Sequence, residues 1–460
     1  MLRDSISPFK QKIDGHTELR IQRNIDRLVG LVSGNIMQNV SSEIIGMSSR
    51  VYDHGFWGFA SSADCGEGNV TEVIGAAKRN AGFLSSKLGA KKPELPPLVF
   101  GRHNTKAVEN DSEQKILIDF ARELDDYISN KYSGLTARRL SAGGDAIEKF
   151  IVSSDGADGY ALVPRARVYC EMSIKADDGA IIEYGDYLGE GAGYFADLFE
   201  SPQALYDKAD AIYEVLMRKR EGIYADAGTR DVVLDSKLAG ILAHEAIGHT
   251  TEADLVLGGS VAASFLGKQA ASEIVTLVDF AHTALGKDAP QPIIVDDEGT
   301  IARDVTLIED GILKGYMHNR ETAQHFGHEP TGNARAYLFS DEPLIRMRNT
   351  AILPGGDKLE DMIASIDDGY YLTQTGNGQA DLTSEFMFSV NMGYEIKGGK
   401  LGRAIRDTTI SGVAFDLLRT VTMLSDEMTW SSSGMCGKKQ RMPVGMGGPS
   451  VKCRVNMGGR

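Results

Sequence analysis

Two histidines bracket a glutamate in His244-Glu245-Ala246-Ile247-Gly248-His249. Two imidazoles with a carboxylate between them are the minimum set for a zinc-activated water and a general base, so metal-assisted hydrolysis is the first chemistry the chain suggests. In the common zinc helix the two histidines sit four apart and share a face. Here they sit five apart, and at about 100° per residue the second imidazole points about 140° away from the first. An uninterrupted α-helix cannot close both on one ion, so the helix must break or bulge between them. Gly248 stands where such a break is easy, because glycine takes the left-handed or irregular conformations that end helices. The motif therefore predicts a helix that stops at its own metal site.

A hydrolytic zinc takes three protein ligands and leaves a fourth position for water. The motif supplies two, and Cys436, Cys453, the other histidines, Glu252 and Asp254 are the candidates for the third. Cys436 lies in Ser433-Gly434-Met435-Cys436-Gly437-Lys438-Lys439, where glycines permit close backbone approach and the lysines favour a thiolate. Cys453 sits between Lys452 and Arg454 in a run that alternates like a strand. Read alone, a His-Glu pair with a nearby histidine also arises by chance, and a single cysteine is more often a buried thiol. His325 and His328 could clamp a metal across a helical turn, but Gly327 and Pro330 mark an exposed helix end; His282 and His318 read as structural. Gly376-Asn377-Gly378 and Met446-Gly447-Gly448 lack the context of a phosphate loop and read as turns or as backbone held near a substrate.

Apolar periodicity indicates the elements that must position these groups. Strands are expected at Glu18–Gln22, Leu28–Ser33, Asn35–Ser41, Ile44–Val51 and Phe56–Ser61, then at 135–141, 147–153, 160–176 and 180–187, the last two joined by Asp177-Asp178-Gly179. Helices are expected over 69–88 and 111–131, the second capped at Asp111-Ser112 and carrying Ile116, Leu117, Phe120, Leu124 and Ile128. A stiff linker, Lys91–Pro97, lies between them. Ser201-Pro202 opens another helix, and the polar stretch Arg218–Arg230 follows it. Val232–Leu234 leads through Asp235-Ser236 into the motif helix. Beyond it strands dominate, at 274–279, 293–295, 306–309, 312–317, 386–396 and 400–405, with helices at 358–366 and 411–423. The fold class is α+β, in two domains of mostly antiparallel sheets with packed helices: residues 1–225 for dimerisation and the substrate cleft, and 226–460 for a β-rich catalytic unit.

The 460 residues are 42% hydrophobic and 25% charged, with a formal net charge of -15. That balance argues against direct nucleic-acid binding, which draws on clustered Lys and Arg. No apolar run approaches the roughly 20 residues that span a bilayer, and the start of the chain lacks the apolar core of a signal peptide, so a cytoplasmic location without membrane contact is expected. Four cysteines, none in a C-x-x-C pair, form no disulfide framework.

Residues 244–254, from His244 to Asp254, also resemble the signature of the TldD/PmbA metallopeptidases, a family labelled modulators of DNA gyrase. Val295-Asp296-Asp297-Glu298-Gly299-Thr300, Leu307–Met317, Arg346–Thr350, Cys436-Gly437-Lys438 and Pro443–Pro449 are similar to further family stretches, in the family's order. The resemblance implies that His244, His249 and Cys436 hold Zn2+ and that Glu245 is the catalytic acid/base. It also implies unfolded or short peptides as substrates, added to a sheet near the metal as an extended strand. The site would be enclosed between two subunits, in a homodimer or in a heterodimer with a TldE/PmbA-like subunit that lacks the ligands. Because the chain keeps the whole set it looks like the TldD type. The alternatives are a non-catalytic peptide-binding partner subunit or an indirect modulator of DNA gyrase.

Overall fold

Leu19, Ile21 and Ile25 are buried on one face of a strand, and Glu18, Arg20, Gln22 and Asn24 are buried on the other. This strand, β1 (His16–Val32), turns through Ser33 and Gly34, both at positive φ, into β2 (Asn35–Asp53), and β3 (Phe56–Ser62) follows antiparallel. The computed structural model describes residues 13, 15–53, 55–89, 95, 102–104 and 113–458. The expected Asp111-Ser112 cap lies outside them, as does the 91–97 linker apart from Leu95. The five short strands expected over 18–61 are three long ones. Their polar residues read as interruptions because both faces of β1 are buried, which erases the apolar and polar alternation.

β4 (Ala137–Ser153), β5 (Asp158–Lys175) and β6 (Ile181–Ala192) complete a seven-stranded sheet in the order β3-β2-β1-β4-β5, with β6 and a short strand at Arg102–Asn104 both beside β5. Here also two expected strands, 135–141 and 147–153, are one. The hairpin at 177–179 is present, with Gly179 at φ 88°. Helices α1 (Glu67–Leu88), α2 (Gln114–Lys131) and α3 (Tyr206–Arg220) accompany the sheet. A Cβ on Gly58 would stand 2.0 Å from the Ala77 carbonyl oxygen, so glycine there lets the small-residue face of α1 seat directly on β3. α2 buries Leu117, Phe120, Leu124 and Ile128 in one cluster with Val29, Leu140 and Val168. Each such buried side chain contributes about 1.5–3 kcal/mol. Ile116, expected on that stripe, is exposed.

An eleven-stranded sheet carries the rest. Its principal strands are β7 (Gly228–Leu234), β8 (Leu277–Phe280), β9 (Asn349–Ile352), β10 (Asp368–Ala380), β11 (Glu385–Lys397), β12 (Met423–Cys436) and β13 (Met442–Met457). β13, the strand Thr408–Val413, β11, β10 and β7 pair in succession, and β7 pairs back to β13, closing a small barrel. Pairing is mostly antiparallel, with β7 and β10 parallel and β9 and β13 parallel. The expected helix over 411–423 is shorter, Ala414–Arg419, and strand precedes it. The expected strand at 293–295 is a single bridge, Val295 to Ile301. Gly376 and Gly378 lie within β10 at a register irregularity, and Met446-Gly447-Gly448 lies within β13, so neither glycine group is a turn. Added Cβ atoms at Gly447 and Gly448 would stand 2.6 Å from Trp430 and 3.0 Å from Ala239, so these glycines admit close packing.

Charged side chains fill the seam between the two sheets. Arg50 of β2 pairs with Glu298 at 2.9 Å and Lys149 of β4 with Asp297 at 2.6 Å. Arg165 of β5 donates to the Ser432 carbonyl of β12 at 3.2 Å, and the Ser433 N–H donates to Glu190 of β6 at 2.7 Å. The first sheet therefore grips β12 a few residues before Cys436. Among the described residues no helix is long and apolar enough to cross a membrane.

Candidate metal centre

The motif begins as expected, with Asp235 capping helix α4 (Ser236–Ile241) through a 2.8 Å bond from the Leu238 N–H. The helix then widens instead of breaking. Leu242–Gly248 is a π-helical turn, in which the His249 N–H donates to the His244 carbonyl, and a 3-10 turn ends the element at Thr251. With hydrogen bonds running five residues back, residues five apart stack as residues four apart do in an α-helix, which brings the second imidazole over the first. Gly248 is right-handed, at φ -54° and ψ -53°, so the reading of a left-handed or irregular glycine is wrong. It is glycine because a Cβ there would stand 1.9 Å from the Met347 sulfur.

The imidazole rings of His244 and His249 lie 5.2 Å apart at an interplanar angle of 78°. Cys436, the last residue of β12, approaches from the opposite end of the sequence, its Sγ 3.3 Å from His249 Nε2. One ligand atom from each of His244, His249 and Cys436 lies within 4.8 Å of the others. Glu245 is partly exposed beside them, its Oε2 3.7 Å from His249 Nε2.

Of the other candidate ligands, Cys453 is buried in β13, and burial pushes its thiol up. His325 and His328 are exposed at the end of helix α5 (Arg320–Phe326), as expected, and His318 is buried nearby. Glu252 is fully buried and accepts from His249 Nδ1 at 3.0 Å, holding the ring with Nε2 toward the cluster. This supporting carboxylate is what the sequence reading missed, having counted Glu252 only as a possible ligand. Its spacing of three from His249 at a helix end was the available signal. Lys438 does not serve the thiolate directly: its Nζ sits 3.1 Å from Glu252 and 2.7 Å from Asp254. Arg346 Nη2 donates to the Cys436 carbonyl at 3.0 Å, fixing the strand end.

The electrostatics suit a cation. Burial opposes ionisation of Cys436, but the two imidazoles outweigh it and bring the thiol down to about 3. Burial likewise opposes charge on His249, and the Glu252 carboxylate reverses this, raising the imidazole well above its usual range. Neither ring nitrogen of the buried His244 has a hydrogen-bond partner among the described residues. An orphaned buried imidazole beside a thiolate is costly in a protein interior, and a soft divalent metal such as zinc satisfies both.

Family models describe three parts of the chain: PmbA/TldA metallopeptidase domain 1 at residues 17–81, the central domain at 108–218 and the C-terminal domain at 227–459. The first two parts share the seven-stranded sheet. A metalloprotease of Methanocaldococcus jannaschii is 30% identical over 456 residues, covering 96% of each chain. A zinc metalloprotease TldD homolog of Saccharolobus solfataricus is 29% identical over 427 residues, covering 90% of each. The crystal structure of TldE from Thermococcus kodakarensis shares the fold, with a TM-score of 0.76 at 20% identity over 98% of this chain and 99% of that one. With matches along nearly its whole length, the chain belongs to the PmbA/TldD metallopeptidase family and is a metalloprotease.

Proposed function

We propose that the chain is a zinc peptidase of the TldD type, with His244, His249 and Cys436 as ligands and Glu245 as general base and acid. The observation that carries this reading is the convergence of two imidazoles and a thiol, 187 residues apart in sequence at the His249–Cys436 contact, with the buried His244 ring lacking a hydrogen-bond partner outside this set among the described residues. Zinc held there would polarise a scissile carbonyl and lower the pKa of a water to about 7. Glu245, partly exposed beside the ligands, is the group that would accept a proton from the attacking water and deliver it to the leaving amine. Glu252 orients the His249 ring, and Lys438 lies 3.1 Å from Glu252.

Unfolded or short peptides are the proposed substrates, held as an added strand. Among the described residues β12 pairs as a strand with β13, with one isolated bridge from Ser425 to Asp357, and it ends on Cys436, which supports a sheet edge near the ligands as the place for the peptide. In this reading the chain divides into an N-terminal unit, residues 1–225, and a catalytic unit, 226–460. Support comes from the sheets, which draw their strands from 16–192 and 228–457 respectively. The active assembly is a homodimer or a heterodimer with a TldE/PmbA-like subunit. The test is cleavage of a disordered peptide before and after chelation. Activity should vanish with the metal and return with added zinc; undiminished cleavage by fully metal-free protein would end the reading.

A further inference from the structure

His244 and His249 come from one continuous helical stretch, so their mutual placement is set locally. Cys436 is different. It ends β12, and the loop after it, 437–441, leads directly into β13 with Gly437, Lys439 and Arg441 exposed. Arg346 holds this loop through the Cys436 carbonyl at 3.0 Å and the Gln440 carbonyl at 2.9 Å. Both bonds run to residue 346, and neither reaches the motif helix.

Lys438 makes that connection. Its side chain is 9% exposed, and its Nζ donates to the two Asp254 carboxylate oxygens at 2.8 and 2.7 Å and to the Ile345 carbonyl at 3.1 Å. Glu252 Oε2 also lies 3.1 Å from Nζ, and it is the same oxygen that contacts His249 Nδ1 at 3.0 Å. The contacts close a ring. Cys436 Sγ meets His249 Nε2 at 3.3 Å, His249 Nδ1 meets Glu252, Glu252 meets Lys438, and Lys438 follows Cys436 after a single glycine. An ammonium suits this place, because its three protons can serve oxygens from separate segments, whereas a guanidinium fork pairs best with one planar partner.

Resting on the zinc reading, we infer that Lys438 is a positioning residue of the metal centre, the tie that sets the Cys436 strand end against the His249 end of the motif before metal arrives. A ligand on a separate strand must be held close to its bonding position by contacts outside the coordination sphere. Ordering the thiol in advance removes that cost from metal binding. Without the ammonium, the fully buried Glu252 also loses its neighbouring cation.

The test is metal binding by the full chain, which needs no turnover. Zinc affinity is read by competition with a chromogenic chelator, and the cysteine–metal bond by the thiolate charge-transfer absorption of cobalt(II)-loaded protein. Lys438→Met, which keeps the apolar stem, should weaken zinc by about 10–100-fold and diminish the absorption, and Lys438→Arg should recover part of both. Asp254 meets the ligand set through Lys438 among the described contacts. Asp254→Asn should therefore weaken zinc in the wild-type background and have no further effect beside Lys438→Met. Zinc held as tightly by folded Lys438→Met as by wild type, or losses from the two substitutions that simply add, overturns the inference. If Lys438→Met does not fold, unchanged zinc affinity and absorption in both Lys438→Arg and Asp254→Asn overturn it, and a loss in either supports it. A wild type that takes up neither zinc nor cobalt strikes the metal-site reading and the inference with it, whereas a metal-loaded wild type with indifferent variants strikes the inference alone.

Discussion

Glu245 and Glu252 lie on either side of His249 and do different work. Glu245 is partly exposed and touches the ligand cluster, whereas Glu252 is fully buried and bonded to the far ring nitrogen. Glu245→Ala should lower turnover by about 10²–10⁴ while zinc is retained, read from peptide cleavage against metal content. Glu252→Gln should weaken zinc about 10–100-fold, read by competition with a chromogenic chelator. His318 gives a pH signature away from the site. Burial, with His328 and Arg303 nearby, depresses its imidazole to about 4. Between pH 6.5 and 4 the unfolded chain takes up a proton there and the folded chain does not, so this contribution is full above 6.5 and is lost on acidification. His318→Gln should remove about 3 kcal/mol of that acid sensitivity, seen as a shallower fall in denaturant stability than the wild type shows over the same range.

The π turn is the element that makes a spacing of five work. Gly248→Ala places a Cβ against the Met347 sulfur and should destabilise the protein by about 1–3 kcal/mol; pairing it with Met347→Ala should restore part of the loss that collision causes. Thermal or denaturant melts of the three variants read this out, and equal losses in the single and double variants would place the strain elsewhere. The spacing foretold that the helix must distort, because residues five apart cannot share a face of an α-helix, and the three residues that the resemblance implies as ligands lie together. It could not tell a bulge from a break, since the packing that makes Gly248 obligatory comes from Met347, about a hundred residues away. Strand lengths were misjudged for a similar reason. Arg20, Gln22 and Asn24 are each buried against a distant segment around 337–341 that a local window does not contain. Gly447 and Gly448 read as turn residues or as backbone held near a substrate, because glycine marks both turns and close packing. The long helices, the 177–179 hairpin and the cap at Asp235 were legible because their signals are local.

At the scale of the molecule, the two sheets are joined by buried ion pairs, and the proposed metal set is drawn from the motif helix and the end of β12. Asp297 holds Lys149 at 2.6 Å and the Ala336 N–H; burial opposes its ionisation, but Lys149 and Arg20 outweigh this and keep its carboxyl below the usual range. Asp297→Ala strands a buried lysine and should cost about 3–5 kcal/mol in equilibrium unfolding. Cys436 reaches His249 only once β12 and the motif helix are both in place, so under the proposed zinc reading metal capture would require both elements to be folded. The most direct measurement is zinc stoichiometry by native mass spectrometry on folded wild type, Cys436→Ser and Glu245→Ala, with peptide cleavage assayed on the same samples. The account predicts about one zinc per wild-type chain, loss or strong weakening of zinc in Cys436→Ser, and a zinc-loaded but inactive Glu245→Ala. Full zinc retention by Cys436→Ser, or cleavage at the wild-type rate by Glu245→Ala, would contradict it.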